Sequence, residues 1–343
     1  MLRTEEIELV AGDVAAPYGP GGSRSYFADV YRAATGDARA ADHLRLAGVQ
    51  ARDLTTGAGA DGDVPTGAAT MPAAIEAAVA EGVSAVAVVA PLLDAQPLPA
   101  AGMEVWSAQV ATPPAVDVHA AENTAVANTD ISLDPIRPPV RTLAGTVVTS
   151  RQALERATPA LDAIIAREFG RALGARLDVQ LVRGDGTAGQ VTGLLAAAGS
   201  TVTYTSASPT GAELVSAIAD AYQQAAAALG QPPTAVVMHP RRAAWLRAEA
   251  AAAGFVLDLG APIVETTAVP TNLGAGTNED RVILVAGDRL TLHSAPPVVA
   301  AHTGLAANPL GVRLVMHQYV AANLTRRPEA VAVVAGTGLV NPW

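Results

Sequence analysis

Residues 131–195 carry the clearest pattern in the chain: ISLDPIRPPVRTLAGTVVTSRQALERATPALDAIIAREFGRALGARLDVQLVRGDGTAGQVTGLL. They predict a strand, a short helix, a long helix, a tight glycine turn and another strand, in that order. Thr158 suits an N-cap, and Pro159 occupies the first helical position, where its missing N–H costs nothing. Apolar residues then recur at helical spacing at Leu161, Ile164, Ile165, Phe169, Leu173, Leu177 and Leu181. The pattern therefore predicts a helix over residues 159–183, about 37 Å long at about 1.5 Å per residue, which ends before Gly184.

Several segments on and around this helix resemble the major capsid proteins of tailed bacteriophages, which share the Hong Kong 97 fold. The likeness lies in VVTSRQALERA, TPALDAIIAREFGRALGARLD and GDGTAGQVTGLL, and in four further pieces that follow the family's order: SYFADVYRA, AVVMHPRRAAWL, AGDRLTL and VRLVMHQYVAANLTRRPEAVAVV. No piece is specific alone, so the resemblance depends on their order and spacing along most of the chain. It implies an α+β, Hong Kong 97-like capsid fold.

The resemblance also implies how the chain is divided. The N-terminal arm would cover residues 1–70, the extended β-hairpin loop residues 101–141, and the axial domain residues 206–305. The peripheral domain would be discontinuous, built from residues 71–100, 142–205 and 306–343, with the spine helix at 159–183.

The arm and the extended loop are the segments least able to bury their own apolar side chains. Alternation through residues 103–110 and 129–133 predicts two strands with a polar tip between them, and an isolated hairpin is marginal in water. In the family, both segments lie on neighbouring subunits. The implied contact residues are Tyr26, Phe27, Trp106, Val116, His119 and Glu122. Trp106 is the expected anchor because a large ring buries much area, although packing of Trp106 within its own subunit remains an alternative.

The rest of the chain alternates helices and strands. Residues 83–93 look like a strand, residues 196–210 like a linker, and residues 211–230 and 241–254 like helices that flank a short buried strand. Strands near the C-terminus are expected to pair with those flanking the spine helix. The polar stretch TNLGAGTNED resembles the axial-domain loop that gathers at five-fold and six-fold centres, with Asn272, Leu273, Asn278 and Glu279 as candidate contacts.

Composition excludes much catalytic chemistry. The chain has no cysteine and no lysine; its 22 basic residues are all arginine, and its net charge is −10. It therefore has no thiolate nucleophile, Walker A lysine or Schiff-base lysine, and it lacks the basic stripe that is typical of nucleic-acid binding.

The turn at residues 184–189 follows a helix instead of opening one, which favours a structural turn over a phosphate site. No HExxH or GxSxG occurs, none of the six histidines has metal-ligand spacing, and the apolar run at 82–93 is too short to span a bilayer. We expect no catalytic residues, metal, cofactor or membrane partner.

These observations lead to one interpretation and two alternatives. The interpretation is the major capsid protein of a tailed phage, which self-assembles as hexamers and pentamers into an icosahedral shell around double-stranded DNA, without sequence-specific binding. We expect assembly in the cytoplasm of the bacterial host, a portal partner, and either a separate scaffold or cement protein or none, because SYFADVYRA begins close to the start. Some family members lock their shells through a lysine–asparagine isopeptide bond; a chain without lysine predicts a non-covalent shell. The alternatives are an encapsulin-type compartment and a monomeric mixed α/β enzyme.

Overall fold

The computed structural model describes residues 18, 24–51, 73–112, 114, 116, 130–150, 152, 159–302 and 311–342. Its helices are α1 (Tyr26–Ala34), α2 (Ala38–Ala51), α3 (Ala73–Ser84), α4 (Pro159–Arg183), α5 (Leu194–Ala197), α6 (Gly211–Leu229) and α7 (Pro240–Ala253). Its first strands are β1 (Asp94–Pro97), β2 (Ser107–Thr112), β3 (Ser132–Ile136), β4 (Arg141–Ser150), β5 (Ser200–Thr203) and β6 (Ala235–Met238). The remaining strands are β7 (Ile263–Glu265), β8 (Val282–Val285), β9 (Thr291–Ser294), β10 (Val298–His302), β11 (Gly311–Asn323) and β12 (Val331–Ala335).

The chain divides into two compact units, each made of three segments. Unit 1 comprises Met1–Val86, Ala144–Gly174 and Pro297–His317, and unit 2 comprises Ala87–Leu143, Ala175–Pro296 and Gln318–Trp343. The predicted long helix is confirmed as α4, and it contributes residues to both units. The domain ranges implied by the family resemblance stay a prediction.

In unit 1, α3 packs on α4 with backbone against backbone. A Cβ added to Gly170 would lie 2.2 Å from the carbonyl oxygen of Val79, and one added to Gly82 would lie 2.2 Å from that of Arg167. One helical turn after Gly170, a Cβ on Gly174 would also approach α3, at 2.9 Å from a carbonyl oxygen. Such distances leave no room for a side chain, so these glycines set how closely the two helices approach.

The first turn of α4 also holds α1 in place. Asp162 is 1% exposed; it accepts a hydrogen bond from the Ser25 hydroxyl at 2.9 Å and another from the Phe27 N–H at 3.4 Å. The Ser25 Oγ in turn accepts the Ala28 N–H at 3.1 Å, so Ser25 is the N-cap of α1. Burial raises the pKa of Asp162, although the Ser25 hydroxyl and the backbone N–H groups act in the opposite direction.

Unit 2 is built around a five-stranded mixed sheet with the order β5-β12-β8-β6-β7. β12 lies parallel to β5 and antiparallel to β8, while β6 is antiparallel to β8 and parallel to β7. Every residue of β6 and β8 is buried, and side chains of α6 and α7 pack with them in one core. The C-terminal strand β12 pairs with β5, which follows the spine helix, so the predicted pairing is confirmed for these two strands. The other neighbour of β12 is β8.

The strand predicted at residues 83–93 is wrong, because a buried carboxylate of α4 binds the backbone of this segment. Asp178 is 2% exposed and accepts backbone N–H groups of Val88, Val89 and Ala90 at 2.7 to 3.3 Å. Those N–H groups cannot join a β ladder, and the chain forms a 3₁₀ turn at Ala90–Leu92 instead. Burial raises the pKa of Asp178, and the three N–H donors oppose that rise.

Two shorter predictions also need correction. The strand expected directly after the glycine turn does not form. Asp185 and Thr192 make an isolated bridge, and the short helix α5 follows. The linker expected at 196–210 contains β5, which pairs with β12 at a distance of more than 100 residues along the chain. A four-residue strand within a Ser- and Thr-rich stretch has too little pattern to be recognised locally.

We predict that Gly170→Ala destabilises the subunit by about 3 kcal/mol or more, because the new methyl group would force α3 away from α4. Helix propensity alone predicts the opposite sign, a gain of about 1 kcal/mol. Urea unfolding of the unassembled subunit measures the difference. Ala172→Ser is the matched control on the exposed side of α4 and should change the free energy of unfolding by less than about 0.5 kcal/mol. A Gly170→Ala variant as stable as the native chain would contradict the close packing.

Candidate assembly surfaces

The extended loop forms a hairpin that is a two-stranded sheet of its own. β2 and β3 run antiparallel with Val110 opposite Leu133, and no other strand in the described part of the chain pairs with either. The register shifts between Val110 and Thr112, which leaves Ala111 as a bulge that bends and twists β2. The hairpin predicted from the alternation is confirmed.

The two faces of this hairpin differ sharply in polarity. Residues opposite each other share a face, and side chains alternate between faces along a strand. The bridge between Glu104 and Pro139 keeps the register of β2 and β3, so Trp106 lies on the face of Val110 and Leu133. This surface, the hairpin apolar face, consists of Trp106, Ala108, Val110, Ile131, Leu133 and Pro135, with Arg137 at its base opposite Trp106. The opposite face carries Ser107, Gln109, Ser132 and Asp134, together with Ile136, which lies opposite Ser107.

The hairpin apolar face is largely exposed. Trp106 is 66% exposed, Ile131 and Leu133 are each 58% exposed, and Val110 is 40% exposed. On the opposite face, Val105 at the hairpin base is only 4% exposed. The exposure of Trp106 argues against the alternative in which its ring packs within its own subunit.

Two of the predicted contact residues belong to the core of unit 1. Tyr26 and Phe27 are both 0% exposed; their ring centroids lie 5.5 Å apart, and the ring of Tyr18 meets Tyr26 edge-on. Such burial argues against contacts of these side chains with another subunit, and their inter-subunit role stays a prediction. Asp162 fixes the start of the same helix, α1.

The remaining hairpin predictions fall at its tip. Val116 is 92% exposed, as a contact residue would be before assembly. His119 and Glu122 lie outside the described residues.

The predicted axial loop is a tight turn in unit 2. The Leu273 N–H donates to the Glu279 carbonyl at 2.9 Å, the Glu279 N–H donates back at 3.0 Å, and the Thr277 N–H donates to the Gly274 carbonyl at 3.2 Å. Thr277 has a φ of 51°, an uncommon conformation for a β-branched residue, and Gly274 has a φ of 74°. The backbone of the tip is therefore closely defined.

The four candidate contacts on this loop do not behave alike. Asn272 and Asn278 are exposed and Leu273 is half-buried, but Glu279 is 6% exposed. The Glu279 carboxylate turns back toward the chain and accepts a hydrogen bond from Arg281 at 3.0 Å. This pairing argues against a Glu279 side chain that faces a symmetry centre, which stays a prediction; in the subunit the side chain stabilises the turn.

The polar groups of the glycine-rich turn after α4 form hydrogen bonds with one another and with Arg141. The Asp185 carboxylate accepts the Thr187 N–H at 2.8 Å, and the Gly186 N–H donates to Val191 at 3.1 Å. The Arg141 guanidinium donates to the Gly186 carbonyl at 3.3 Å. These internal bonds agree with a structural turn and leave little for a phosphate group to bind.

His239 has a shifted pKa and a structural role in the same unit. Nδ1 of His239 accepts the Arg241 N–H at 3.2 Å and so caps α7. Burial lowers the pKa of His239, and the positive charge of Arg241 lowers it further. Among the described residues, no group of three or more His, Cys, Asp or Glu side chains could hold a metal ion. Within those same ranges, no helix is long and apolar enough to cross a membrane.

A sequence profile described as the phage capsid family matches residues 67–289, about two thirds of the chain. The chain belongs to the phage capsid family. It is accordingly a structural subunit of the virion shell, and the predicted α+β Hong Kong 97-like fold is confirmed.

Solved structures support this fold. A protein of Gordonia phage Cozz is 16% identical with a TM-score of 0.56, covering 74% of this chain and 87% of that one. A protein of Mycobacterium phage Adephagia is 19% identical with a TM-score of 0.55, covering 73% of this chain and 90% of that one. The holo-SrpI encapsulin complex from Synechococcus elongatus PCC 7942 is 14% identical with a TM-score of 0.52, covering 87% of this chain and 96% of that one. No curated protein matches this sequence.

We predict that Trp106→Ala leaves the stability of the unassembled subunit within about 0.5 kcal/mol, because the ring is mostly exposed. The same change should weaken association between subunits, since a buried tryptophan at an interface contributes about 2 kcal/mol or more. Urea unfolding and the concentration threshold for particle formation measure the two effects separately. Val256→Ala removes a side chain that is 90% exposed elsewhere in unit 2 and should leave both unchanged. Equal assembly thresholds for the native chain and Trp106→Ala would contradict an interfacial role.

We also predict a pH dependence from His239. The folded state favours its neutral form, so the unfolded chain takes up a proton first as pH falls, and stability is lost below the usual pKa of 6.5. His239→Asn keeps a capping side chain that does not titrate. The free energy of unfolding of this variant should therefore fall less between about pH 7.5 and about pH 5 than that of the native chain. If the free energies of unfolding of the native chain and of His239→Asn, measured by urea titration, fell equally with pH, His239 would not contribute to the pH dependence.

Proposed function

We propose that this capsid subunit closes its shell by laying the hairpin apolar face on an adjacent copy. The observation that carries the proposal is the exposure of four large apolar side chains, Trp106, Val110, Ile131 and Leu133, on one face of the hairpin. Exposed apolar surface of this kind marks an interaction site. A second copy is the natural partner, because a shell protein meets its own copies on every side.

We further propose that the axial loop meets its own copies at five-fold and six-fold centres. At a symmetry axis each side chain faces the same side chain from every other subunit, so a charge there would be repelled by like charges. The tip, residues 272–278, carries no charge. Of the acidic residues that follow it, Glu279 pairs with Arg281 and Asp280 pairs with Arg241 of α7. A tip of this composition suits convergence of identical copies into hexamers and pentamers.

The shell itself would be non-covalent and without enzymatic activity. The chain has no lysine to form an isopeptide bond, and many weak contacts per subunit combine into a strong closed assembly. We propose that it encloses double-stranded DNA without sequence-specific contacts, consistent with a net charge of −10. Assembly would take place in the host bacterial cytoplasm, with a portal and with a scaffold or cement protein as candidate partners.

Electron microscopy of the purified protein tests this proposal directly. We expect closed icosahedral particles that contain both five-fold and six-fold rings. Denaturing gel electrophoresis of those particles should give one band at the 34.6 kDa mass of the chain. A ladder of covalent multimers would refute the non-covalent shell, and a monodisperse monomer at high concentration would contradict assembly altogether.

The encapsulin alternative is tested by the content of particles purified from infected cells. The structural likeness to an encapsulin favours retaining it, because that likeness covers 87% of this chain. Phage DNA inside the particles supports the capsid; an enclosed cargo enzyme without DNA supports the compartment.

A further inference from the structure

The base of the axial loop in unit 2 contains a charged cluster that the proposed function does not yet use. Asp280 is fully buried and accepts hydrogen bonds from two consecutive arginines of α7: Arg241 Nε to Oδ2 at 2.8 Å and Arg242 Nε to Oδ1 at 3.0 Å. A buried carboxylate held by two guanidinium groups has a fixed position and a fixed orientation.

Arg241 extends from this cluster to both ends of the tip. Its Nη2 donates to the carbonyl of Thr271, where the loop begins, at 3.4 Å, and to the carbonyl of Asn278, where the tip ends, at 3.2 Å. One side chain therefore joins the two legs of the turn to a buried anchor. A guanidinium suits this role because its donors are spread over a rigid fork, which lets one side chain bind a carboxylate and two separate backbone carbonyls.

The last residues of the described chain complete the arrangement. The Asp280 N–H donates to the Leu339 carbonyl at 3.1 Å, and the Asn341 N–H donates to the Asn278 carbonyl at 3.1 Å. Arg242, which is also fully buried, donates through Nη2 to the Val340 carbonyl at 2.8 Å. The segment from Leu339 to Asn341 thus lies along the outgoing leg of the loop, where Val340 and Glu279 form an isolated antiparallel bridge.

We propose that Arg241 is a positioning residue for subunit association: anchored on Asp280 and aided by the segment Leu339–Asn341, it fixes the axial loop tip in the conformation that contacts other copies. The inference rests on the proposed role of the loop at ring centres. A turn that is ordered before contact loses less conformational entropy on association, which strengthens the contact without adding surface. Loss of the Arg241 contacts should therefore impair ring closure more than folding.

Arg241→Lys is the decisive variant. Lysine keeps a positive charge near Asp280, which preserves the buried pair needed for folding, but it lacks the fork that reaches Thr271 and Asn278. The matched control is Arg247→Ala on the same helix, an arginine that is 53% exposed and paired only with Glu265 among the ion pairs of the described residues. Both variants should retain cooperative urea unfolding.

Hydrogen exchange of the unassembled subunit reports on the positioning itself. In Arg241→Lys we expect the amides of Leu273, Thr277 and Glu279 to exchange roughly tenfold faster, because their bonds close the turn. Amides of β6 and β8 should keep their native protection, which separates a loosened loop from a destabilised unit. Arg247→Ala should match the native chain at every one of these positions.

Particle formation then tests the consequence. We expect Arg241→Lys to need a severalfold higher protein concentration for assembly, while Arg247→Ala assembles at the native threshold. Native exchange rates or a native threshold in Arg241→Lys would overturn the inference. Failure of the native chain itself to form particles would instead refute the proposed function, so the two failures are distinguishable.

Discussion

The hairpin cannot bury its own apolar face, and the assembly account depends on that constraint. Two strands have only two faces, and one of them is covered at its base, where Val105 is buried. The other face presents Trp106, Val110 and Leu133 to water. An exposed apolar strand pair is a hazard for a monomer and becomes an advantage when a copy of the chain covers it. The hairpin apolar face is therefore available for association.

A rigid framework makes such an arm useful. In unit 1, backbone contact through Gly82 and Gly170 holds α3 against α4, and Asp162 holds the start of α1. In unit 2, Asp178 binds three consecutive N–H groups. These contacts fix segments that are far apart in sequence, using buried carboxylates and close glycine packing in place of the large aromatic residues that this chain largely lacks.

Local signals in the sequence are sufficient to predict elements whose first and last residues favour a helix start or a helix end. Pro159 and Gly184 bracket the long helix, and Thr210 with Glu213 forms the capping box of α6. The hairpin was also predictable, because alternation of residue type is a property of the strand itself. The family resemblance then gave the order of these elements and the fold.

The sequence was less informative wherever a distant partner decides the outcome. The run at 83–93 is apolar enough for a strand, but Asp178 binds its N–H groups from 88 to 90 residues away. An apolar helix face such as that of Tyr26 and Phe27 shows that something covers it, without showing whether the cover is the same chain or another. Glu279 looked like a surface acid because its inward pairing with Arg281 depends on the geometry of the turn.

Hydroxyl-radical footprinting of Trp106 tests the central claim most directly. The unassembled subunit should oxidise readily at Trp106, which is 66% exposed, while Trp245, which is 8% exposed, stays protected and serves as the internal reference. In assembled particles the account predicts that oxidation of Trp106 falls close to the level of Trp245. Equal oxidation of Trp106 in subunits and in particles would show that the hairpin apolar face remains uncovered and would contradict the account.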